Sequence, residues 1–329
     1  MEFLRPDQWE QALAAKAERP DAVPIAGGTD IMVELNFARR RPDVLLDLGL
    51  VPGLDRWSEV DGRLRLGAAV TYAQLTGERL APAGGPGGPG EPGGPGAPHE
   101  PGEQGGPGGP SVRLARLLPG LATAARTVGS PQIRNRGTIG GNLGSASPAG
   151  DCHPSLLAAS GAQVEVASVR GTRLIDVDDF FTGVKQNALA PDELIAAVWI
   201  DRPDGPEQFA KIGTRNAMVI AVVAFALALH PDRRTVGTGI GSAAPTPVRA
   251  AEAERYLASA LTERGLWQSG DRLPDEVADE FGALVAAAAR PIDDVRGTAA
   301  YRRDALAILA KRTLAWAWQD YRQAVPERG

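Results

Sequence analysis

The amino-acid sequence predicts an α+β protein whose last third forms a smaller domain of sheet and helices. Short strand-like and helix-like runs alternate through the first two-thirds of the 329 residues. In the last third, helical stretches are predicted over 250–261, 274–289 and 301–321. Strand segments followed by helix segments are typical of α+β domains. The chain-breaking cluster Pro203-Asp-Gly-Pro206 marks the predicted boundary between domains at 1–205 and 206–323.

The N-terminal part is predicted to contain short elements that lead into a glycine turn. Pro6-Asp7 opens a first helix, and Trp9 and Leu13 recur on one face of it. Thr71 is a good N-cap for a helix over 72–75, because its hydroxyl can accept a bond from a free amide. The remaining elements predicted here are the first helix to 19, strand 23–25, helix 31–37 and strands 44–48 and 64–70.

Residues 84–110 differ in composition from the rest of the chain. They divide into nine triplets, of which eight begin with glycine and eight end with proline. The phrasing is collagen-like, but nine triplets with interruptions at His99 and Gln104 are too few for a trimeric rod. Such a segment buries little apolar surface, so we expect a disordered insertion without catalytic groups.

Beyond the insertion the sequence predicts longer helices and strands than in the N-terminal part. A helix over 113–128 is expected to break at Pro119-Gly120, because proline cannot continue a helix. A further helix is predicted over 154–160, and a long strand-like segment runs from Phe209 through 219–223. Alternating apolar residues also predict strands over 162–169, 173–177, 194–200 and 235–240.

Composition and charge exclude several classes of protein. The net charge of −5 and pI near 5.4 argue against a general nucleic-acid binder, which carries a basic face. Cys152 is the single cysteine, which excludes an internal disulfide, a four-cysteine zinc site and a cysteine-ligated iron–sulfur cluster. A cytoplasmic location is expected, since the N-terminus also lacks a secretory signal. The apolar run 219–229 is too short to span a bilayer.

Two glycine turns are the most informative feature of the chain. One is Ala26-Gly-Gly-Thr-Asp30 and the other is Thr138-Ile-Gly-Gly-Asn142. Paired glycines leave backbone N–H groups uncovered, and each turn adds a threonine hydroxyl. A helix beginning near Asp30 would strengthen anion binding at the first turn. Together the turns could clasp the two phosphates of a dinucleotide, whereas a single Gly-Gly pair is usually an ordinary turn.

Residues around the second turn allow alternative interpretations. Asp151 suits recognition of ribose or ribityl hydroxyls, but an N-cap for the following helix would need the same residue. Arg134 and Arg136 could neutralise a pyrophosphate, lie in a solvated loop, or instead pair with carboxylates or hold the loop. The pair Cys152-His153 predicts neither a metal site nor a nucleophile, because three histidines are too few and adjacent side chains rarely face each other.

The usual nucleotide fingerprints are absent from the sequence. It contains neither a Gly-x-Gly-x-x-Gly after a strand nor a Gly-x-x-x-x-Gly-Lys-Ser/Thr loop. The segment Gly237-Thr-Gly-Ile-Gly241 has the wrong spacing for the dinucleotide motif, and we expect it to be a strand end and a turn.

Taken in order, several phrases of the chain resemble the flavin-binding medium subunit of the xanthine dehydrogenase and carbon monoxide dehydrogenase family of molybdenum hydroxylases. The likeness runs from about residue 3 to about 320, apart from the insertion. The phrase Thr138-Ile-Gly-Gly-Asn142 with Ser147-Pro-Ala-Gly-Asp151 downstream is the most specific part. The other matching phrases are Ala26–Asp30, Gly67–Tyr72, Ile133–Leu143, Leu189–Leu194, Lys211–Arg215, Ala244–Arg249 and Tyr301–Arg303.

The resemblance implies an FAD-binding fold of two α+β subdomains, of the vanillyl-alcohol-oxidase-like (PCMH) type, with a smaller C-terminal domain. FAD would lie extended between the subdomains, with its pyrophosphate held by both glycine turns. A β-branched residue at Gly140 is then expected to abolish flavin retention and leave the chain folded. Carried over by position, the FAD-binding residues are Ile25, Ala26, Gly27, Gly28, Thr29, Asp30, Ile31, Met32, Val128, Thr138, Ile139, Gly140, Gly141, Asn142, Asp151, Leu194 and Lys211.

The resemblance also implies specific roles and partners. Asp151 would bind cofactor hydroxyls, while Leu194 and Lys211 match positions near the flavin ring and Val128 lines the site. A large subunit with the molybdenum cofactor and a small subunit with [2Fe–2S] clusters would be partners, and NAD, quinone or oxygen the external acceptor. No side chain need act as an acid or base. The alternatives are a scaffold subunit without flavin and a stand-alone FAD-dependent reductase.

Overall fold

The structure is a computed structural model that describes residues 1–77 and 109–324. Its strands alternate with helices over the first two-thirds of the chain, as the sequence predicts. The strands are β1 (Glu2–Leu4), β2 (Val23–Ile25), β3 (Val44–Asp47), β4 (Trp57–Val60), β5 (Arg63–Gly67), β6 (Gln163–Ser168), β7 (Gly171–Asp176), β8 (Phe181–Gly183), β9 (Gln186–Asn187), β10 (Leu194–Asp201), β11 (Glu207–Ile212), β12 (Val223–His230) and β13 (Thr235–Gly241).

Helices connect these strands and dominate the last third of the chain. The break predicted at Pro119 is confirmed, because one helix ends at Leu117 and the next begins at Pro119. The helices are α1 (Trp9–Glu18), α2 (Ile31–Asn36), α3 (Tyr72–Thr76), α4 (Gly109–Leu117), α5 (Pro119–Arg126), α6 (Pro131–Arg136), α7 (Ile139–Ser145), α8 (Cys152–Ala158), α9 (Val177–Phe180), α10 (Ala251–Glu263), α11 (Leu266–Ser269), α12 (Asp275–Ala288) and α13 (Ala299–Ala324).

The N-terminal segment forms a small parallel sheet in the order β1-β3-β2. Its central strand carries Val44, Leu45 and Leu46, none of them more than 2% exposed. A parallel strand covered on both faces needs such a continuous apolar run. Helix α1 packs against this sheet, and β2 ends at Ile25, where the chain enters the first glycine turn. The small sheet therefore positions that turn.

A second, antiparallel sheet has the order β4-β5-β10-β6-β7. Its ladder is irregular between Ile195 and Ala197 on β10, so that Ala196 is an extra residue. The Ala196 carbonyl accepts a bond from the Ala68 N–H at 2.9 Å, and the Ala68 carbonyl accepts one from Gly140 at 2.9 Å. Bulges commonly redirect a strand in this way. The second glycine turn is thereby hydrogen-bonded to the large sheet at the point where β5 ends.

The C-terminal sheet, β11-β12-β13, is shared between two cores. The alanines of β12 face the core of the N-terminal domain; they are Ala224, Ala226 and Ala228. Phe225 and Leu227 face the opposite way, into the core beneath α10, α12 and α13. Side chains alternate across a strand, so small residues meet one layer and large residues the other. The single long strand predicted from Phe209 is wrong, because β11 ends at Ile212 and β12 begins at Val223.

The glycines of β13 let helix α8 lie directly on the sheet. A Cβ at Gly237 would come within 2.0 Å of the Ala158 carbonyl oxygen, and one at Gly239 within 2.0 Å of the Pro154 carbonyl oxygen. Only residues without a side chain permit such an approach. The strand predicted over 235–240 is confirmed as β13, but the turn expected within 237–241 is wrong, since these glycines belong to the strand up to its end at Gly241.

The longest helix, α13, closes the C-terminal domain. Leu306, Leu314 and Trp318 are at most 3% exposed and pack into the core with β12 and α12. Charged residues occupy its other face, and none of the helices within 1–77 and 109–324 has the length and apolar character that crossing a bilayer requires.

Several other elements differ from the sequence-based prediction. The N-cap predicted at Thr71 is confirmed, and in the structure the Gln74 side chain reciprocates to form a capping box. Most of the insertion predicted at 84–110 lies outside the described residues, and its last two residues, Gly109 and Pro110, belong to α4. Strands β1 and β4 and helices α6 and α7 were not predicted, because each is short and held by tertiary contacts rather than by its own periodicity.

The close approach of α8 to β13 makes a stability prediction. Gly239→Val should lower the free energy of unfolding by about 3 kcal/mol or more, because the added side chain overlaps the Pro154 backbone. The measurement is the urea midpoint of the full-length chain. Thr235→Val, an exposed β-branched substitution on the same strand, should change it by less than about 0.5 kcal/mol. Equal effects of the two substitutions would contradict the proposed packing.

Candidate functional site

The main cleft of the protein consists of two adjoining cavities, which we call the inner and outer cavities. The inner cavity, about 290 Å³, is lined by the first glycine turn, by the second turn and by Leu194. The outer cavity, about 580 Å³, extends to the C-terminal domain at Arg302. Asp30, Asn142 and Ser145 line both cavities, so the two form one continuous groove.

The first glycine turn rests directly on the chain that leads into the second. A Cβ at Gly27 would lie 1.6 Å from the Arg136 carbonyl oxygen, so only glycine fits there. Gly28 adopts a left-handed conformation with φ of +77°, which also favours glycine. None of the backbone N–H groups from Gly27 to Asp30 donates to another described residue. This turn therefore presents unpaired amides to the inner cavity.

The second glycine turn uses its amides differently. Ile139 and Gly140 donate to the carbonyls of Val70 and Ala68, at 3.0 and 2.9 Å. The Gly141 amide donates to the Thr138 hydroxyl at 3.0 Å, which makes Thr138 the N-cap of α7. The expected row of uncovered amides is thus found in the first turn and not in the second. At the second turn the exposed Gly141 instead leaves the wall of the inner cavity without a side chain.

Asp151 lies at the start of α8 but does not cap it. Its Oδ2 accepts hydrogen bonds from Lys211 Nζ at 2.6 Å and from the Thr127 hydroxyl at 3.1 Å. Burial raises the pKa of this carboxyl, while the Lys211 ammonium and the hydrogen bonds from Lys211 and Thr127 act in the opposite direction. Oδ1 is buried and has no partner among the described residues. The hydroxyl-binding interpretation fits this arrangement, and the N-cap interpretation does not.

Lys211 is fully occupied by this arrangement. Besides Asp151, its ammonium donates to the carbonyls of Thr127 at 3.0 Å and Val219 at 3.1 Å. An ammonium has three N–H donors, so all three are used. Lys211 therefore positions Asp151 and the 213–222 segment, rather than presenting a free charge to the groove. It also lines an adjoining cavity of about 640 Å³, which shares Gly129, Met218 and Val219 with the outer cavity.

Asn142 supplies a second buried oxygen without a partner. Its Oδ1 accepts no hydrogen bond from a described residue, although Asn142 lines both cavities. The Asn142 backbone carbonyl faces His153 Nε2 at 3.2 Å, while His153 Nδ1 lies 3.1 Å from the Ser147 carbonyl. A neutral imidazole has one N–H, so His153 donates to one of these two carbonyls and thereby ties α8 to the loop after the second turn. Buried polar atoms are rarely left unpaired in proteins, so these oxygens indicate ligand positions.

Cys152 and His153 have structural environments. Both are fully buried. Burial raises the pKa of the Cys152 thiol and lowers the pKa of His153 to about 4, so that both side chains are neutral at physiological pH. Within the described ranges, no cluster of three or more His, Cys, Asp or Glu side chains is placed to hold a metal ion. Neither residue lies in a nucleophilic or metal-binding arrangement.

The structure brings most of the candidate residues to the groove, but in distinct parts. Ile25 to Ile31, Thr138, Gly140, Gly141, Asn142 and Leu194 line the inner cavity, whereas Val128 and Asp151 line the outer one. Leu194 and Lys211 do not share a cavity, although the resemblance placed both near the flavin ring. Ile139 is fully buried in the core, and Met32 is exposed beside Gly28.

Sequence reasoning missed the contribution of the C-terminal domain to the outer cavity. Ser242 and Arg302 line it, and each carries a buried polar atom, Ser242 Oγ and Arg302 Nε, without a partner in the described chain. Ser242 also has a φ of +61°, which is rare for a non-glycine residue. The phrases Ala244–Arg249 and Tyr301–Arg303 matched the family pattern and were the signals in the sequence that pointed to this region, since Ala244 and Pro245 also line the outer cavity.

Arg134 contacts the backbone of the loop that precedes its helix. Arg134 lies on α6, and its Nη1 lies 3.4 Å from the Val128 carbonyl and 3.3 Å from the Gly129 carbonyl. Of the interpretations that the sequence left open, the structure favours the one in which this arginine holds the preceding loop.

Comparison with known proteins agrees with this geometry. Residues 1–203 match the family described as the FAD binding domain in molybdopterin dehydrogenase, and residues 208–317 match the CO dehydrogenase flavoprotein C-terminal domain. These two matches divide the chain on either side of the chain-breaking cluster at 203–206.

Similar proteins match over nearly the whole chain. The nicotine 6-hydroxylase medium subunit of Paenarthrobacter nicotinovorans is 32% identical over 319 residues, 95% of each chain. The carbon monoxide dehydrogenase medium chain of Afipia carboxidovorans is 26% identical over 321 residues, again 95% of each. The structure of reconstituted CO dehydrogenase from Oligotropha carboxidovorans superposes with a TM-score of 0.77 at 25% identity, over 97% of this chain and 98% of that one. The chain therefore belongs to the FAD-binding medium subunits of the xanthine and carbon monoxide dehydrogenase family of molybdenum hydroxylases.

Proposed function

We propose that this subunit holds FAD in the groove and passes electrons from the [2Fe–2S] clusters of a small partner subunit to an external acceptor. A large partner subunit would carry the molybdenum cofactor and oxidise the substrate. The observation that carries the proposal is the coincidence, in one groove, of unpaired turn amides and two unpaired buried oxygens, Asn142 Oδ1 and Asp151 Oδ1. The external acceptor would be NAD, a quinone or oxygen.

The inner cavity suits the pyrophosphate and one nucleoside end of the cofactor. The amides of Gly27 to Asp30 can donate to phosphate oxygens without a net positive charge in the site. Deeper in the cavity, Leu48, Leu54 and Leu194 provide apolar contacts for a planar base. Burial raises the pKa of the Asp30 carboxyl, and an interaction with the Ser145 side chain of α7 across the groove acts in the opposite direction.

The outer cavity suits the hydroxyl-bearing chain of the cofactor. Asp151 and Asn142 each present an oxygen that can accept a hydrogen bond from a hydroxyl. Because Lys211 and Thr127 occupy Asp151 Oδ2, the free Oδ1 has a fixed position. A bound flavin would supply the ability to take electrons singly and release them in pairs. The residues of this chain would bind it, orient it and exclude water.

The geometry favours this role over the alternatives. A scaffold subunit that had lost its flavin would have no need for unpaired amides and buried unpaired oxygens in one groove, since both cost stability. A stand-alone reductase would need its own substrate domain and proton donor. The C-terminal residues match the CO dehydrogenase flavoprotein domain instead.

The first test is the visible spectrum of the purified full-length chain, with chemical identification of the cofactor released on denaturation. We expect a flavin spectrum and one FAD per chain. A folded, colourless protein that also fails to bind added FAD, both alone and when co-expressed with partner subunits, would overturn the proposal. FMN in place of FAD would contradict the assignment of the inner cavity to the adenine nucleotide.

Substitutions at the second turn separate binding from folding. Gly141→Val should reduce FAD affinity by about tenfold or more and leave the fold intact, because its Cβ meets only the Thr138 hydroxyl while the side chain enters the inner cavity. Gly140→Val is not the clean test that the sequence suggested. Its Cβ would lie 2.6 Å from the Ala68 carbonyl oxygen, so the fold itself should suffer.

Both variants can be measured by FAD retained after gel filtration and by urea unfolding. If Gly141→Val keeps full FAD occupancy and wild-type stability, the inner cavity does not hold the cofactor.

The Lys211–Asp151 pair makes a pH-dependent prediction. Lys211→Met leaves the buried Asp151 carboxylate with one remaining donor, the Thr127 hydroxyl, and raises the Asp151 pKa further. The substitution should lower the free energy of unfolding by about 3 kcal/mol at neutral pH. A raised carboxyl pKa disfavours the charged form in the folded state, so this deficit should shrink as the pH falls and Asp151 takes up a proton. FAD retention should fall as well, because Asp151 Oδ1 loses its fixed position.

The measurements are urea midpoints at neutral and mildly acidic pH. Lys311→Met, which removes an exposed lysine paired with Asp279, is the matched control and should leave stability and FAD retention nearly unchanged. A deficit in Lys211→Met that grows on acidification would contradict the assigned role of the pair.

A further inference from the structure

The outer cavity contains a charge arrangement that FAD binding alone does not require. Arg302, on α13, is 2% exposed and lines this cavity. Its Nη2 donates to Asp294 Oδ1 at 2.5 Å, and its Nη1 donates to the carbonyls of Val222 at 3.0 Å and Ser242 at 2.5 Å. The guanidinium is therefore held rigidly between the strand ends and the segment before α13.

Asp294 does not neutralise this guanidinium completely. The same carboxylate binds Arg296, whose Nη2 lies 2.7 Å from Oδ2. Hydrogen bonds from Arg296, and then from Arg302, hold the pKa of Asp294 well below its usual range, so it remains ionised. One carboxylate thus faces two guanidinium groups. The cluster of Asp294, Arg296 and Arg302 carries one unbalanced positive charge at the edge of the outer cavity.

Two donors beside the outer cavity, one on Arg302 and one on Ser242, have no partner among the described residues. Arg302 Nε and Ser242 Oγ are buried, and neither forms a hydrogen bond with a described residue. Ser242 adopts a left-handed backbone conformation that costs about 1 kcal/mol or more for a non-glycine residue. A buried cation with an unused donor is expensive in a protein unless a ligand supplies compensating negative charge. These features point to a ligand with hydrogen-bond acceptors that becomes negative.

Of the two ends of FAD, only the isoalloxazine ring changes charge during turnover. Addition of two electrons and one proton to the ring leaves it with one additional negative charge, on the half that carries the two carbonyl groups. The adenine end has no such change. The inner cavity offers apolar contacts near Leu48 and Leu194, whereas the outer cavity offers the donors of Arg302 and Ser242.

Resting on the proposed function, we propose that Arg302, held by Asp294 and by the Ser242 backbone, stabilises the negative charge of the reduced flavin ring in the outer cavity. Its side chain thereby sets the reduction potential of the cofactor. Arg296 keeps Asp294 saturated, so that the charge of Arg302 remains available to the ring. Ser242 supplies a second donor to the same edge.

The test is the midpoint potential of FAD bound to the full-length chain, measured by dithionite titration against reference dyes. Arg302→Met should retain FAD but shift the potential to more negative values, and Arg302→Lys should restore it in part, because it returns the charge without the same hydrogen bonds. Affinity for sulfite, which also places negative charge on the oxidised ring, should fall about tenfold or more in Arg302→Met.

Arg303→Met is the matched control, because Arg303 is the next residue on α13, is exposed and does not line the outer cavity. It should leave both the potential and the sulfite affinity unchanged. If Arg302→Met fails to fold, Asp294→Asn takes its place. That substitution removes a negative charge from the same cluster and should shift the potential in the opposite, positive direction.

The outcomes separate this inference from the proposed function. A wild-type chain that never binds FAD would overturn both. A wild-type chain that binds FAD, with an unchanged potential and sulfite affinity in Arg302→Met, would overturn the role of Arg302 alone. A negative shift in Asp294→Asn would also overturn it, because general loosening of the site and not the charge of Arg302 would then set the potential.

Discussion

The contact between helix α8 and the glycine face of β13 holds the two walls of the groove together. At Gly237 and Gly239 the helix backbone approaches the strand so closely that no side chain fits between them. Asp151 immediately precedes α8, and Lys211 lies on β11 of the same sheet. The depth at which α8 packs therefore sets the 2.6 Å contact between these two side chains. Both the cleft and the orientation of Asp151 follow from that packing.

The groove divides its polar groups between structure and binding. The second turn uses its amides to attach α7 to the large sheet, and the first turn leaves its amides unpaired. Asn142 Oδ1, Asp151 Oδ1 and Ser242 Oγ are buried and have no partner within the described part of the chain, and all three residues line the outer cavity. Because unpaired buried polar atoms are costly, their concentration in one cleft is a physical sign of a ligand site. Positive charge enters from the C-terminal domain through Arg302.

Much of the fold was predictable from local pattern. The paired glycines marked both turns, Thr71 marked the N-cap of α3, and Pro119 marked the break between α4 and α5. Where prediction failed, tertiary contacts decided the outcome. The segment 213–222 is apolar enough to resemble a strand, but Lys211 and Arg215 bind carbonyls of Val219 and Met218 and hold it as a loop. The glycines of β13 resembled a turn because their sequence carries no sign of the helix that packs on them.

The sequence by itself determined the chemistry available to this protein: two glycine turns, a carboxylate at Asp151, and one cysteine, too few to ligate an iron–sulfur cluster. These depend on residue type and short spacing, which a linear chain displays directly. Only the tertiary structure decided which turn leaves its amides unpaired among the described residues, and that Lys211 donates to Asp151. It also decided that Ser242 and Arg302 line the outer cavity. Such relations join residues far apart in sequence, and they arise from the packing of one layer on another, which local periodicity does not encode.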